Sequence, residues 1–183
     1  EKRSPFDGSL VAVVHEADRA MVDTAVEAGR AAALGPWGSL SVGSRVAMLR
    51  DLSTRLKARV DDLIEAEVMD TGRPYWQARN FDGLRAIGVI DAYCDLAMGL
   101  ENRSSTFAVD GGARGFWYTV RRPKGVIACI APWNVPLLMM LLKAAPALTM
   151  GNAVIAKPSE ETPSSCTLLA EISRLLENAV QSR

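Results

Sequence analysis

A single histidine, His15, and three scattered cysteines, Cys94, Cys129 and Cys166, are all that this 183-residue chain holds of the usual soft metal ligands. No HxxH, HExxH or CxxC spacing occurs, so neither a metal site nor a disulfide framework is expected. Thiols in that number and arrangement fit a reducing cytoplasm. Neither sign of charge is in excess, since 21 Lys and Arg balance 21 Asp and Glu. That balance leaves no electrostatic footprint for nucleic acid or an anionic membrane surface. Long apolar runs are missing as well: the longest, Val135–Leu142, falls far short of the roughly 20 residues that span a bilayer. There is no initiator Met and no signal peptide. Glu1-Lys2-Arg3-Ser4-Pro5 leads directly into a turn at Asp7-Gly8 and a short strand, Leu10–Val14, so the chain reads as beginning inside a protein. Internal repeats and low-complexity segments are absent, and 49% of the residues are apolar, enough for one domain with a sizeable core.

What is present is organised around Gly125–Pro163. Val126–Ile130 is an apolar, β-branched run bounded by Pro123-Lys124-Gly125 and Pro132, the pattern of a strand buried on both faces. Pro136 opens a helix at a position where its missing N–H costs nothing. Leu137–Leu148 is apolar almost all round, so this helix is expected to be buried, kinked at Pro146 and ended by Gly151-Asn152. Ala153–Ala156 reads as a second strand with Lys157 at its C-terminal end. Strand, helix and strand make a right-handed βαβ unit, and such sheets bind ligands beyond the carboxyl ends of their strands. Those ends carry Pro132-Trp133-Asn134 and Lys157-Pro158-Ser159-Glu160. A carboxamide in an apolar loop can donate to an oxygen that gains charge; a lysine and a glutamate can bind ribose hydroxyls. The plain alternative is that Asn134 is turn chemistry and that Lys157–Glu161 is a solvated loop capping the helix that begins near Ser164.

PWNVP, KAAPALTMGN and AKPSEETP at these separations resemble the aldehyde dehydrogenase superfamily, NAD(P)-dependent enzymes that oxidise aldehydes through a cysteine thioester. The resemblance implies that Asn134 supplies the side-chain half of an oxyanion hole. It implies that Ile130, Ala131, Pro132 and Trp133 line the cofactor cleft, and that Lys157 and Glu160, within the Lys157-Pro158-Ser159-Glu160 stretch that includes Ser159, hold the adenosine ribose. A ribose-facing carboxylate repels a 2′-phosphate, so Glu160 favours NAD over NADP.

Asp18 caps a helix running to about Ala33, with Met21, Ala25, Ala28 and Ala32 as its packing face. Gly35-Pro36-Trp37-Gly38 breaks it, and Trp37 fills a core gap. Ser44 starts a second helix in which Val46, Leu49, Leu52, Leu56, Val60, Leu63, Ile64 and Val68 face inward. Arg45, Arg50, Arg55, Lys57 and Arg59 lie mainly on its solvated side. Asp70-Thr71-Gly72-Arg73-Pro74 stops this helix and lets the next one start. A third helix spans about Tyr75–Leu100, burying Ile87, Ile90, Ala92, Tyr93, Leu96 and Ala97. Thr106–Asp110 and Gly115–Arg122 alternate like strands around an Asp110-Gly111-Gly112 hairpin turn. A last helix, Ser164 to about Val180, carries Leu168, Leu169, Ile172, Leu175 and Leu176 on one face. GPWG, the Arg45–Leu52 segment and DTGRP resemble the same superfamily. The resemblance implies that residues of about 104–122 form an oligomerisation hairpin, with Phe116, Trp117 and Tyr118 at an interface. The other reading is that these aromatics cover the chain's own core.

The expected fold is α/β: N-terminal helices plus the first part of a Rossmann-like parallel sheet, as a partial NAD-binding domain over 1–183 with the hairpin segment and without a catalytic domain. The glycine-rich turn, the catalytic glutamate and the nucleophilic cysteine motif of the family are not in the sequence, so the chain alone is expected to be inactive. Cys129 lies in a strand and Cys94 in a helix. None sits in the family's nucleophile motif, and all three read as ordinary small apolar residues; the rival reading makes Cys166, in the first turn of another helix, the nucleophile, because a helix N-terminus lowers a thiol pKa. Within the superfamily the chain is most similar to dehydrogenases of 2-hydroxymuconic and aminomuconic semialdehydes from aromatic meta-cleavage pathways. That implies a small-molecule aldehyde substrate, NAD as cofactor and a homo-oligomer, dimer or tetramer. Arg85 and Arg103 are candidates for a distant substrate carboxylate. The alternative is a non-catalytic nucleotide-binding or interaction module that docks on a full-length homologue.

Overall fold

The computed structural model describes the backbone of residues 1–181 and the side chains of residues 1–174. Two short strands, β1 (Lys2–Arg3) and β2 (Leu10–Ala12), pair antiparallel across a turn in which Asp7 Oδ1 accepts from the Ser9 backbone and hydroxyl. Helix α1 (Arg19–Leu34) follows, with Asp18 Oδ1 accepting from Met21 N at 2.8 Å, the expected N-cap. Its inward side is Ala25, Val26, Gly29 and Ala33, all half-buried, whereas Met21, Ala28 and Ala32 are exposed. The expected packing face is therefore rotated. The reason is Gly29, which comes so close to Val126 that a Cβ there would stand 3.0 Å from its methyl group.

After the short helix α2 (Pro36–Ser39), the long helix expected from Ser44 is two helices, α3 (Val42–Ala58) and α4 (Val60–Thr71). The first is capped by Ser41, whose hydroxyl accepts from Ser44 N. Arg59 breaks the pair at φ −118 and ψ 24. The apolar period runs on through the break, which is why the sequence hides it: Val46, Leu49, Leu52, Leu56, Leu63 and Ile64 are all buried. Arg45 does not lie on the solvated face. It is buried, donating from Nε to Thr149 O at 3.2 Å and from Nη1 to Leu40 O. Gly72, left-handed at φ 69, ends α4 as expected.

The third helix is also interrupted. One turn, α5 (Tyr75–Gln77), passes into a π-helical segment, Ala78–Gly83, before α6 (Leu84–Met98). The extra residue of the π turn changes the helical phase, so Leu96 and Ala92 are exposed while Cys94 takes the inward position. Strands β3 (Ser104–Ala108) and β4 (Arg114–Tyr118) form the hairpin around Gly111 and Gly112 at φ 95 and 85; β3 lies two residues before the expected Thr106–Asp110, and β4 ends four residues before the expected Arg122.

The βαβ unit comprises β5 (Val126–Ile130), α7 (Pro136–Thr149) and β6 (Ala153–Lys157), with β5 and β6 parallel and Ile130 in register with Lys157. Helix α7 is buried as expected and continues through Pro146. Strand β5 is not buried on both faces: Cys129 is buried but Ala128 and Ile130 are exposed. Among the described residues β5 and β6 pair only with each other, and α1 lies over their N-terminal halves. Helix α8 (Ser164–Gln181) closes the layer, burying Cys166, Leu169 and Ile172 with Leu168 half-buried. Leu175, Leu176 and Val180, expected on this helix, have side chains outside the described residues. One core joins α3, α4, α6, α7, β5 and α8 through Leu49, Leu56, Leu63, Ile90, Cys129, Met140 and Ile172. Each fully buried leucine or isoleucine in it contributes roughly 2 kcal/mol relative to exposure. No helix among the described residues is long and apolar enough to cross a membrane.

Candidate functional site at the strand ends

The loops that leave β5 and β6 meet at the carboxyl edge of the sheet. Ala131 N donates to Lys157 O at 3.1 Å, carrying the parallel pairing one residue past β5. The buried Thr162 hydroxyl then donates to Trp133 O at 3.1 Å, tying the Pro132-Trp133-Asn134 loop to the chain that follows Glu160. Ile130 and Trp133 expose 63% and 62% of their surfaces, Pro132 and Asn134 are exposed, and Ala131 is buried beneath them. An apolar rim such as this suits a flat ligand.

Lys157 Nζ donates to Glu160 Oε2 at 3.1 Å, and both side chains are largely exposed. Glu160's own backbone N–H and the Lys157 ammonium hold its carboxyl below the ordinary range, so it is ionised near neutrality and remains an acceptor. Ser159 turns the loop, its Oγ accepting from Glu161 N at 3.2 Å and its carbonyl from Thr162 N. Asn134 has no side-chain hydrogen bond among the described residues, so its amide is available to an incoming group. The geometry brings the seven expected positions at 130–133, 157, 159 and 160 to one edge together with Asn134. Arg85 opens α6 and Arg103 sits at the base of the hairpin, bonded through its backbone to Thr119. Neither belongs to these loops.

Several residues that support the site carry no local sequence signal. Glu67, 2% exposed, sends Oε1 under the first turn of α7 to accept from Leu137 N at 2.8 Å. Burial pushes its carboxyl up to about 7. Asp70 accepts from Ser164 N and Oγ at 2.7 and 2.9 Å and so caps α8 from a distant helix. Burial raises its pKa too, although these two bonds oppose the rise. Asn152 joins the far end of the unit: Oδ1 accepts from Lys124 N and Gly125 N at 2.7 and 3.1 Å, and Nδ2 donates to Ala147 O. The Trp37 indole donates to Asn152 O at 3.0 Å, so Trp37 is a half-buried strut with a polar end.

The family's sequence model, described as the aldehyde dehydrogenase family, matches residues 1–178. The chain belongs to the aldehyde dehydrogenase family. It is 45% identical over 172 residues to 2-hydroxymuconic semialdehyde dehydrogenase of Pseudomonas sp. (strain CF600), covering 94% of this chain and 35% of that one. To 2-aminomuconic 6-semialdehyde dehydrogenase of Pseudomonas sp. it is 44% identical, covering 92% and 34%. PnpE solved in complex with nicotinamide adenine dinucleotide superposes with a TM-score of 0.84 at 34% identity, over 96% of this chain and 35% of that one. The chain thus spans about a third of the length of the curated relatives it matches.

In this aldehyde dehydrogenase chain the three cysteines are free and buried. Burial raises all three thiols, and Cys166 is pushed up to about 12 by its burial and by the nearby Glu67. All three are the ordinary small apolar residues expected, and the rival reading of Cys166 as a nucleophile activated by a helix N-terminus fails: its Sγ faces the Pro136 carbonyl at 3.8 Å inside the core, and a thiol so placed is inert.

Proposed function

We propose that this chain is part of an NAD-dependent aldehyde dehydrogenase that oxidises 2-hydroxymuconic or aminomuconic semialdehyde to the carboxylate. The observation that carries the reading is the meeting of the Asn134 loop with the Lys157–Glu160 loop at the carboxyl ends of β5 and β6. Family membership and the nicotinamide adenine dinucleotide complex of PnpE support use of an NAD(P) cofactor. The ionised Glu160 and its partner Lys157 fit a ribose diol, one accepting from it and the other donating to it, and the carboxylate repels a 2′-phosphate. Ile130, Ala131, Pro132, Trp133 and Ser159 shape the cleft beside them. When bound, NAD supplies the hydride acceptor.

Asn134 donates to the oxygen that gains negative charge as a thiolate adds to the aldehyde carbon. That thiolate comes from outside this sequence, since Cys94, Cys129 and Cys166 are all buried, as does the carboxylate that activates water for thioester hydrolysis. Residues 1–183 are then a partial NAD-binding domain, with about 104–122 as an oligomerisation hairpin. The exposed Phe116, Trp117 and Tyr118 support a homo-oligomer in which the hairpin lies at an interface. Three free thiols fit a cytoplasmic enzyme.

The test is steady-state turnover and cofactor binding in the complete dehydrogenase. Asn134→Ala lowers kcat by about 10²-fold or more with NAD affinity nearly unchanged; an unaffected kcat overturns the oxyanion role. Glu160→Gln weakens NAD and narrows the preference over NADP, and an unchanged NAD/NADP ratio rejects the ribose role. If instead the complete coding sequence specifies only this chain, so that mixed oligomers form but no NADH is produced, the docking-module reading holds.

A further inference from the structure

Asn134 is exposed and makes no side-chain hydrogen bond among the described residues, so the direction of its amide is set by the backbone on either side. Before it, Trp133 O is held by the Thr162 hydroxyl at 3.1 Å. After it comes the first turn of α7. Pro136 has no N–H to offer, Met139 N reaches back to Val135 O at 2.9 Å, and Leu137 N is among the donors that the helix start leaves without a backbone acceptor. Glu67 Oε1 accepts from it at 2.8 Å from a side chain only 2% exposed.

We propose that Glu67 is a positioning residue for the loop that carries Asn134, its carboxylate clamping the start of α7 three residues beyond the proposed oxyanion donor. The proposal rests on the oxyanion reading of Asn134. The clamp is strongest when charged, because a hydrogen bond to a carboxylate is about twice as strong as one to a neutral acceptor, and the N-terminus of α7 favours a negative charge. The groups facing Glu67 come from every element around it. Asp70 lies on its own helix, Asp82 on the π-helical segment, Arg73 in the intervening loop and Cys166 on α8. Arg73 is bonded to Asp82, which divides its pull between two carboxylates. Burial and the two aspartates outweigh the Leu137 N–H and Arg73, and the group titrates at about 7. The clamp therefore loosens as pH falls through neutrality. A neutral glutamine in the same place keeps the acceptor and loses the titration.

The test joins amide exchange at Leu137 to kinetics in the complete dehydrogenase. In the wild type, the Leu137 protection factor falls roughly three- to tenfold from pH 8 to pH 6. Glu67→Gln makes it independent of pH. Glu67→Ala abolishes the protection at both pH values and lowers kcat about tenfold or more, with KM and NAD affinity nearly unchanged; Glu67→Gln recovers most of that rate at pH 8. A Leu137 amide indifferent to both pH and Glu67→Ala overturns the clamp. Lost protection with an unchanged kcat overturns the positioning role. If Glu67→Ala does not fold, the wild-type and Glu67→Gln pH profiles decide alone: identical profiles refute the proposal. Failure of the oxyanion reading is recognised separately, by Asn134→Ala leaving kcat unchanged while Leu137 still responds to Glu67.

Discussion

Glu67 shows how a single buried carboxylate sets stability against placement. Its ordinary value is 4.5, and burial first of all lifts it to about 7 in the folded chain. Between those values the folded state binds a proton that the unfolded state has released. Stability from this group is therefore fully present below about pH 4.5, declines as pH rises toward 7, and is flat above it. The full swing is on the order of 3 kcal/mol. Glu67→Gln has no such cost, so it should raise the urea midpoint at pH 8 and leave it nearly unchanged at pH 4.5. Asp70, also raised by burial, contributes a slope of the same sign, so the variant flattens the profile without levelling it. Urea titrations at several pH values check this; a variant midpoint at pH 8 equal to or below wild type would show that the buried charge is better compensated than its surroundings indicate.

At the scale of elements, the βαβ unit is closed by one amide. Asn152 binds the start of β5 to the end of α7, accepting from two consecutive backbone N–H groups while donating to Ala147 O. Removing the side chain in Asn152→Ala leaves those two donors without their acceptor, although Asn152 N still satisfies Ala147 O. The expected loss is about 2–3 kcal/mol in chemical denaturation, and a loss below roughly 0.5 kcal/mol would mean that water takes over both bonds. The strands and α7 are legible in the sequence because length, β-branching, Pro136 and Gly151 act locally. Elements α3 and α4 merge on paper because hydrophobic period carries no mark of the break at Arg59. The π turn at Ala78–Gly83 is invisible for a related reason, since it alters phase without changing composition. Asn134, Lys157 and Glu160 stand out by sequence motif. Glu67, Asp70 and Arg45 do not, because each acts on a backbone group 70 to 104 positions away, and only the tertiary fold brings them there.

Across the whole molecule the hairpin stands apart from the core. The register pairs Thr106 with Phe116 and Ser104 with Tyr118, which puts Phe116 and Tyr118 on one face and Phe107 and Trp117 on the other. Phe116 and Tyr118 stack at 5.8 Å, 63% and 64% exposed, while Phe107 is half exposed and covers Gly115. A two-stranded ribbon with aromatics on both faces is marginal in water, and these side chains do not cover the chain's own core. Their apolar area is instead available to a second copy, where an added sheet edge would satisfy the free backbone groups of the outer strand as well. Replacing both members of the stacked pair, Phe116→Ser with Tyr118→Ser, removes apolar contact from one face without touching a buried residue. In the complete dehydrogenase the expected outcome is a lower sedimenting mass at a given concentration, with the far-ultraviolet circular dichroism unchanged. An unchanged mass would remove this face of the hairpin from the subunit interface, and a loss of helical signal would show that the ribbon supports its own chain after all.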